Sequence, residues 1–157
     1  MSQAQTPYSP PLAPVRDPVE PDLPKPAAIS RAAICLGISA AVVVVTTGIT
    51  LANWVKSAPL LTAMHIVVIS AFSIGLLALI AWKLNAGRGW ARWFFLVLYV
   101  LGTVVFVAGL FAPEPDFPSA PIHEQVSAAV QFGLQTAALI FMFTPAAGRW
   151  LQSRSGK

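Results

Sequence analysis

The sequence has few charged residues and a single cysteine. Only 10% of its 157 residues are Asp, Glu, Lys or Arg, whereas 56% are hydrophobic. Soluble domains carry about a quarter of charged residues, so this composition excludes an ordinary water-soluble domain. Because Cys35 is the one cysteine, the chain cannot form an intramolecular disulfide, a CxxC redox pair or a thiolate metal site.

Sequence motifs of enzymes and of nucleic-acid binders are also missing. The sequence has no phosphate-binding loop, no serine in a nucleophile elbow and no HExxH or CxxC spacing. The net charge of +4 does not indicate nucleic-acid binding, because the cations lie at the ends of apolar runs rather than on a basic face with aromatics. We therefore expect no catalytic activity, no cofactor, no metal ion and no nucleic-acid partner.

Four long apolar runs predict an all-α integral membrane protein with four transmembrane helices in two hairpins. The predicted spans are residues 32–54, 60–82, 93–112 and 125–144, and none contains Asp, Glu, Lys or Arg. About twenty residues at ~1.5 Å each cross a ~30 Å hydrocarbon core. The transmembrane domain, residues 29–146, is flanked by a proline-rich tail over 1–28, predicted to be disordered, and by a short basic tail over 147–157.

The distribution of cations predicts the orientation in the membrane. Placing both tails and the central loop on one side puts nine of the ten Lys and Arg residues there and leaves Lys56 on the other side. Cytoplasmic loops carry such an excess, so we predict a multi-pass protein of the bacterial inner membrane with both termini in the cytoplasm. Basic and tryptophan residues near the predicted span ends are expected to be membrane-interface anchors: Lys83, Arg88, Trp90, Arg92, Trp93, Arg149 and Trp150.

Two side-chain patterns within the spans indicate helix packing. Small residues recur on one face of three helices, where they favour close approach of another helix: Ala33, Gly37 and Ala41; Ala71 and Gly75; Gly102 and Gly109. In the fourth span, Ser127, Gln131 and Gln135 recur at every fourth position and therefore share one face. We interpret this polar face as a packing contact, with a polar ligand or water path as the alternative.

His65 is the one ionisable side chain within a predicted span. Intramembrane ionisable residues are often functional, but a neutral imidazole bonded to water or to a neighbouring helix is the reading we favour. His65, Asp116, His123 and Glu124 are all predicted at the outer face. They are candidates for binding a divalent cation or sensing pH, but their spacing matches no ligand motif and we assign no metal site.

Two short motifs, GRGWAR at 87–92 and FTPAAGRW at 143–150, carry a resemblance to a group of proteins. In these motifs and its four spans the chain resembles small four-helix bacterial inner-membrane proteins that have no known activity. The resemblance implies a bacterial source and the topology given above.

The sequence favours a non-catalytic function that depends on contacts made within the lipid bilayer. We expect helix contacts with other integral membrane proteins or with further copies of the chain, as in an accessory or assembly subunit or an immunity-type protector. The alternative is a small homo-oligomeric transport or channel component that uses the polar face of the fourth helix.

Overall fold

The computed structural model describes residues 23–54, 60–111 and 121–155, and this part of the chain is helical. Its helices are α1 (Ala27–Trp54), α2 (Leu60–Asn85), α3 (Trp90–Leu110), α4 (Ile122–Met142) and α5 (Pro145–Ser155). The first four are long and apolar enough to cross a membrane. The prediction of four spans is therefore confirmed, and the chain is a multi-pass membrane protein. The first 22 residues of the proline-rich tail lie outside the described residues.

The helices begin and end a few residues away from the predicted spans. α1 begins at Ala27 rather than at residue 32, and α4 begins at Ile122 rather than at residue 125. The second difference puts His123 and Glu124 in the first turn of α4, whereas the predicted span leaves them outside the helix. Pro121 has an extended backbone with ψ 144° and directly precedes this turn. Its fixed φ makes it a natural residue at a helix start.

The basic tail contains a fifth helix that the sequence analysis did not predict. Pro145 stands at its first position, where the missing N–H would have had no partner in any case. Ala147, Trp150 and Leu151 form its buried face, at the three- and four-residue spacing of an amphipathic helix. α5 packs through this face against the ends of α1 and α4.

α1 is the best-packed of the four long helices. It packs along α2 on one side and α4 on the other, whereas α3 packs less closely against α2 and α4. The Thr47 hydroxyl donates to Ser70 Oγ at 2.8 Å and joins α1 to α2. The bundle is therefore organised around α1 rather than as two equivalent hairpins.

The buried core lies at one end of the bundle, which we call the basic end. This end comprises the first half of α1, the end of α2, the turn that follows it, the start of α3, the end of α4, and α5. Every buried side chain of the described residues belongs to it: Ile29, Ala32, Leu36, Ser39, Leu77, Ile80, Leu84, Ala91, Phe95, Ala138, Met142, Ala147, Trp150 and Leu151. The remaining parts of the four long helices, which we call the open half, contain no fully buried side chain among the described residues.

A Schellman motif ends α2 and directs the chain toward α3. The N–H of Arg88 donates to the carbonyl of Lys83 and the N–H of Gly87 to the carbonyl of Leu84, both at 3.0 Å. Gly87 has a φ of 78°, a conformation that favours glycine. A Cβ at this position would also lie 3.0 Å from the Cβ of Arg154. The turn therefore requires glycine for its backbone and for the close approach of α5.

Candidate functional site

A cavity of about 560 Å³ lies among the four long helices. Leu77, Ile80 and Phe95 belong both to its wall and to the buried core, so they form its floor toward the basic end. From there the cavity extends into the open half, between residues of all four long helices. Its volume lies within the ~300–1,000 Å³ range of small-molecule sites.

Neutral polar side chains from each of the four helices line this cavity. They are Thr46 and Thr47 of α1, Ser70 and Ser73 of α2, Tyr99 and Thr103 of α3, and Gln131 and Gln135 of α4. Aromatic side chains lie among them: Phe72, Phe95, Phe106 and Phe132. Within the described part of the chain, no Asp, Glu, Lys, Arg or His lines the cavity. The wall is therefore polar and aromatic but carries no charge.

The polar face predicted for the fourth helix forms part of the wall of this cavity. Gln131 and Gln135 both line it. The Gln135 amide donates to the hydroxyl of Ser39 at 3.4 Å, and Ser39 is fully buried on α1. Ser127 lies one turn nearer the start of α4, where its hydroxyl donates to the backbone carbonyl of Glu124 at 2.9 Å. Two of the three predicted residues thus lie at the cavity, and the third stabilises the first turns of its own helix.

Two hydrogen bonds define the register between α1 and α4. The Thr50 hydroxyl donates to Glu124 Oε1 at 3.3 Å, and Gln135 donates to Ser39. The steps from Ser39 to Thr50 and from Glu124 to Gln135 are both eleven residues, or about three helical turns. Both bonds therefore fit one antiparallel alignment, which puts Gln131 opposite Val43 between them.

Several hydroxyl groups of the cavity wall donate to their own helices. Thr46, Ser73 and Thr103 donate to the carbonyls four residues earlier, at 2.8, 2.9 and 2.8 Å. This pattern is common where a Ser or Thr lies within an apolar helix. The Gln131 side chain, in contrast, forms no hydrogen bond with another of the described residues. Its amide is therefore the unpaired polar group of the wall.

Tyr99 attaches α3 to α4 at the cavity. Its hydroxyl and that of Thr136 are 2.6 Å apart and share a hydrogen bond. Its ring stacks on Phe132, with the ring centroids 5.4 Å apart. The sequence analysis did not single out these residues or the hydroxyl groups of α1. The spacing of Ser39, Thr46 and Thr50, seven and four residues, was the signal that α1 also has a polar face.

His123 and Glu124 lie together at the end of the bundle opposite the basic end. His123 Nε2 is 3.9 Å from Glu124 Oε1, which is too long for a hydrogen bond. The same carboxylate oxygen accepts the bond from Thr50. His65 is exposed on α2, and no three His, Cys, Asp or Glu side chains come together among the described residues. Asp116 lies outside them, so the predicted outer-face cluster is brought together only in part.

The four glycines of the small-residue faces have no close neighbour among the described residues of the other helices. A Cβ built on Gly37, Gly75, Gly102 or Gly109 would have no atom within 4 Å. Ala41 and Ala71 are exposed, and Ala33 is half-buried. The close neighbour that the sequence analysis expected is therefore not found within the described part of this chain.

The predicted interface anchors surround the basic end. Three cations lie over aromatic rings, an arrangement that favours the pair electrostatically: Lys83 over Trp82 at 4.5 Å, Arg92 over Trp93 at 5.6 Å and over Phe143 at 5.7 Å, and Arg154 over Trp150 at 5.8 Å. Arg88 and Arg149 are exposed. Only the contact between Arg92 and Phe143 joins two elements, because it connects the start of α3 to the residue that follows α4.

Trp150 differs from the other tryptophans of this end. It is 4% exposed, whereas Trp90 and Trp93 are 48% and 55% exposed. The Trp150 side chain therefore points from α5 into the buried core. Trp90 and Trp93 are placed where a membrane interface would contact them.

No protein family, characterised protein or solved structure matches this chain. The resemblance carried by the GRGWAR and FTPAAGRW motifs therefore stays a prediction. What the protein does must follow from its own residues and their arrangement.

Proposed function

We propose that this protein is a non-catalytic bacterial inner-membrane protein that acts through helix contacts with other integral membrane proteins. Its role would be that of an accessory or assembly subunit, or of an immunity-type protector. The supporting observation is that Gly37, Gly75 and Gly109 are exposed and that a Cβ built on each would meet no atom within 4 Å. Helices in lipid pack most closely where such residues let the backbones approach. These faces are therefore suited to a helix from a partner.

The orientation is part of this proposal. The basic end and both sequence tails lie in the cytoplasm, because nine of the ten Lys and Arg residues then lie on that side. A reporter fused after Lys157 is expected to be cytoplasmic, and one inserted at Ser119 is expected to be periplasmic. The reverse pair of results would overturn the orientation.

The partner is tested by purifying the tagged chain from its native membrane in a mild detergent and measuring the stoichiometry of co-purified proteins by mass spectrometry. We expect a membrane protein at a fixed ratio, and a lower ratio for Gly37→Leu or Gly109→Leu. Ala108→Leu is the matched control, because Ala108 is also exposed but points ~100° away from its neighbour Gly109 around the helix. A chain that purifies alone, or equal losses in all three variants, would contradict the proposal.

The cavity favours a second candidate, a small transport component. Gln131 and Gln135 line a cavity within one chain, so a polar path of this kind would not need a homo-oligomer. The double variant Gln131→Leu with Gln135→Leu is expected to reduce glycerol flux into proteoliposomes while co-purification is unchanged. Unchanged flux would remove this candidate.

A further inference from the structure

The Gln131 amide is not explained by the packing of the helices. The register places it opposite Val43, which has no polar group to offer. The neighbouring amide of Gln135 is bonded to Ser39. A half-buried amide in an apolar bundle is unfavourable unless it is hydrogen-bonded. Water or a ligand in the cavity would supply the missing partner.

The wall of the cavity selects against charged molecules. Its polar groups are hydroxyls and amides, and no charged side chain of the described residues faces it. A charge moved from water into such a site would lack a counter-charge and be strongly disfavoured. The occupant must therefore be neutral.

The aromatic residues indicate a flat molecule. Phe132 stacks on Tyr99, and Phe72, Phe95 and Phe106 lie along the same cavity. Aromatic side chains favour offset-stacked or edge-on contacts with another ring. A ring that bears a carbonyl or hydroxyl group would satisfy both the aromatic and the polar parts of this wall.

The side of the cavity formed by α3 is open to the surrounding lipid. Ala91 and Phe95 are the buried residues of α3, and every residue from Val104 to Phe111 is exposed. At the basic end, in contrast, the buried core closes the bundle. A molecule dissolved in the bilayer would therefore reach the cavity more easily than one arriving from the basic end.

We propose that this cavity binds one neutral, lipid-soluble ring compound of the quinone or phenol type, with Gln131 hydrogen-bonded to its carbonyl or hydroxyl oxygen. The Gln131 amide can donate to a carbonyl, and its oxygen can accept from a hydroxyl. The site lies inside the bundle, whereas the small-residue faces of α1 and α2 lie outside it. The α3 face is shared, because Gly102 lines the cavity, so the binding assay uses the purified chain without a partner.

The experiment measures binding to the purified full chain in lipid nanodiscs by native mass spectrometry. Three probes share one alkyl tail: decylubiquinone with carbonyl groups, its reduced hydroquinone with hydroxyl groups, and decylbenzene with neither. We expect one molecule of the quinone or the hydroquinone to bind per chain, with roughly 10-fold higher affinity than decylbenzene. That factor corresponds to about 1.4 kcal/mol, which one neutral hydrogen bond at the upper end of its usual strength supplies.

Two variants locate the site. Gln131→Met keeps the length of the side chain and is expected to weaken binding of the preferred probe roughly 2- to 10-fold, with no change for decylbenzene. Gly102→Leu places a side chain at a cavity-lining position where a Cβ meets nothing within 4 Å, so it should occupy part of the cavity and weaken binding of the preferred probe at least as much as Gln131→Met does. The controls Gln152→Met and Ala108→Leu change exposed residues that do not line the cavity and should bind as the unchanged chain does.

Each of the opposite results overturns the proposal. The cavity would be ordinary space for lipid tails if decylbenzene bound as well as both ring-oxygen probes. Full binding by Gln131→Met would remove the role of that residue, and full binding by Gly102→Leu would place the ligand elsewhere. Since the assay contains the purified chain alone, loss of a protein partner leaves these readouts unchanged.

Discussion

The basic end and the open half of the bundle are held together in different ways. At the basic end, five helices converge and bury Leu36, Leu84, Met142 and Trp150. In the open half the same long helices surround a cavity of about 560 Å³. Exposed apolar side chains cost little in lipid, so helix association there depends on close packing and interhelical hydrogen bonds. The comparison indicates that core packing at the basic end specifies the fold. The cavity in the open half leaves space for a binding site.

Hydrogen bonds between side chains replace tight packing in the open half. Pairs of this kind join α1 to α2, α1 to α4, and α3 to α4. Such bonds within membranes contribute on average only about 0.6 kcal/mol each. They align the helices without closing the space between them, which is consistent with a cavity at this depth.

The largest effect is expected for Trp150→Ala. Trp150 is 4% exposed and lies under Arg154, so its removal leaves a void between α5 and the turn at Gly87. We expect a loss of about 3–5 kcal/mol in the free energy of unfolding, measured by SDS titration in mixed micelles with circular dichroism. Trp90→Ala, at a 48% exposed position, should lose less than about 1 kcal/mol. Equal losses would contradict the packing of α5 against the bundle.

A leucine pair compares the two regions directly. Leu36 is 1% exposed at the basic end and Leu101 is 59% exposed on α3. Because Leu36→Ala opens a cavity in a packed core, it is expected to lower the free energy of unfolding by about 3 kcal/mol. Leu101→Ala is expected to change it by less than about 0.5 kcal/mol. The same SDS titration checks both, and a larger effect at Leu101 would show that α3 is better packed than described.

A glycine pair tests the turn that connects α2 to α3. Gly87 has a φ of 78°, whereas Gly89 has a φ of −61°. Gly87→Ala is expected to cost about 1–2 kcal/mol through backbone strain and contact with Arg154. Gly89→Ala should be nearly neutral, since alanine adopts its conformation readily. Similar thermal stabilities of the two variants would exclude the Schellman turn.

The smallest effect is expected for the bond between Ser39 and Gln135. A double-mutant cycle with Ser39→Ala and Gln135→Met isolates the contribution of this 3.4 Å contact. We expect a coupling of about 0.6 kcal/mol in the free energy of unfolding. Because Ser39 is buried at the basic end and Gln135 lines the cavity, a coupling above about 2 kcal/mol would mean that a polar contact between the two regions holds the helices as firmly as core packing does.

Much of the fold could be predicted because membrane insertion leaves a strong one-dimensional signal. Length and absence of charge identified four helices, all of which are present. The positions of Gln131 and Gln135 on one face followed from helical spacing alone, and both line the cavity. The start of α4 was misplaced because the charge of Glu124 was taken to end the apolar run, although Thr50 accommodates it.

The rest could not be predicted because it depends on how the helices are arranged around one another. Sequence spacing shows that Gly37 and Gly75 lie on small faces, but not that a Cβ at either glycine would meet none of the described residues within 4 Å. The cavity needs residues from four helices at one depth, and a single sequence does not give that alignment. α5 was missed because the fourth span was predicted to end at residue 144, directly before Pro145. Pro145 also begins a helix.

The uneven attachment of α3 gives this helix the mechanics of a lever. Its buried residues, Ala91 and Phe95, lie in its first two turns, and Tyr99 attaches it to α4 one turn later, so Tyr99 is the fulcrum. From Tyr99 to Leu110 the helix extends for ~17 Å at ~1.5 Å per residue. A tilt of ~10° about the fulcrum would displace its far end by ~3 Å. A small tilt near Tyr99 would therefore be amplified into a larger change in the width of the cavity on its α3 side.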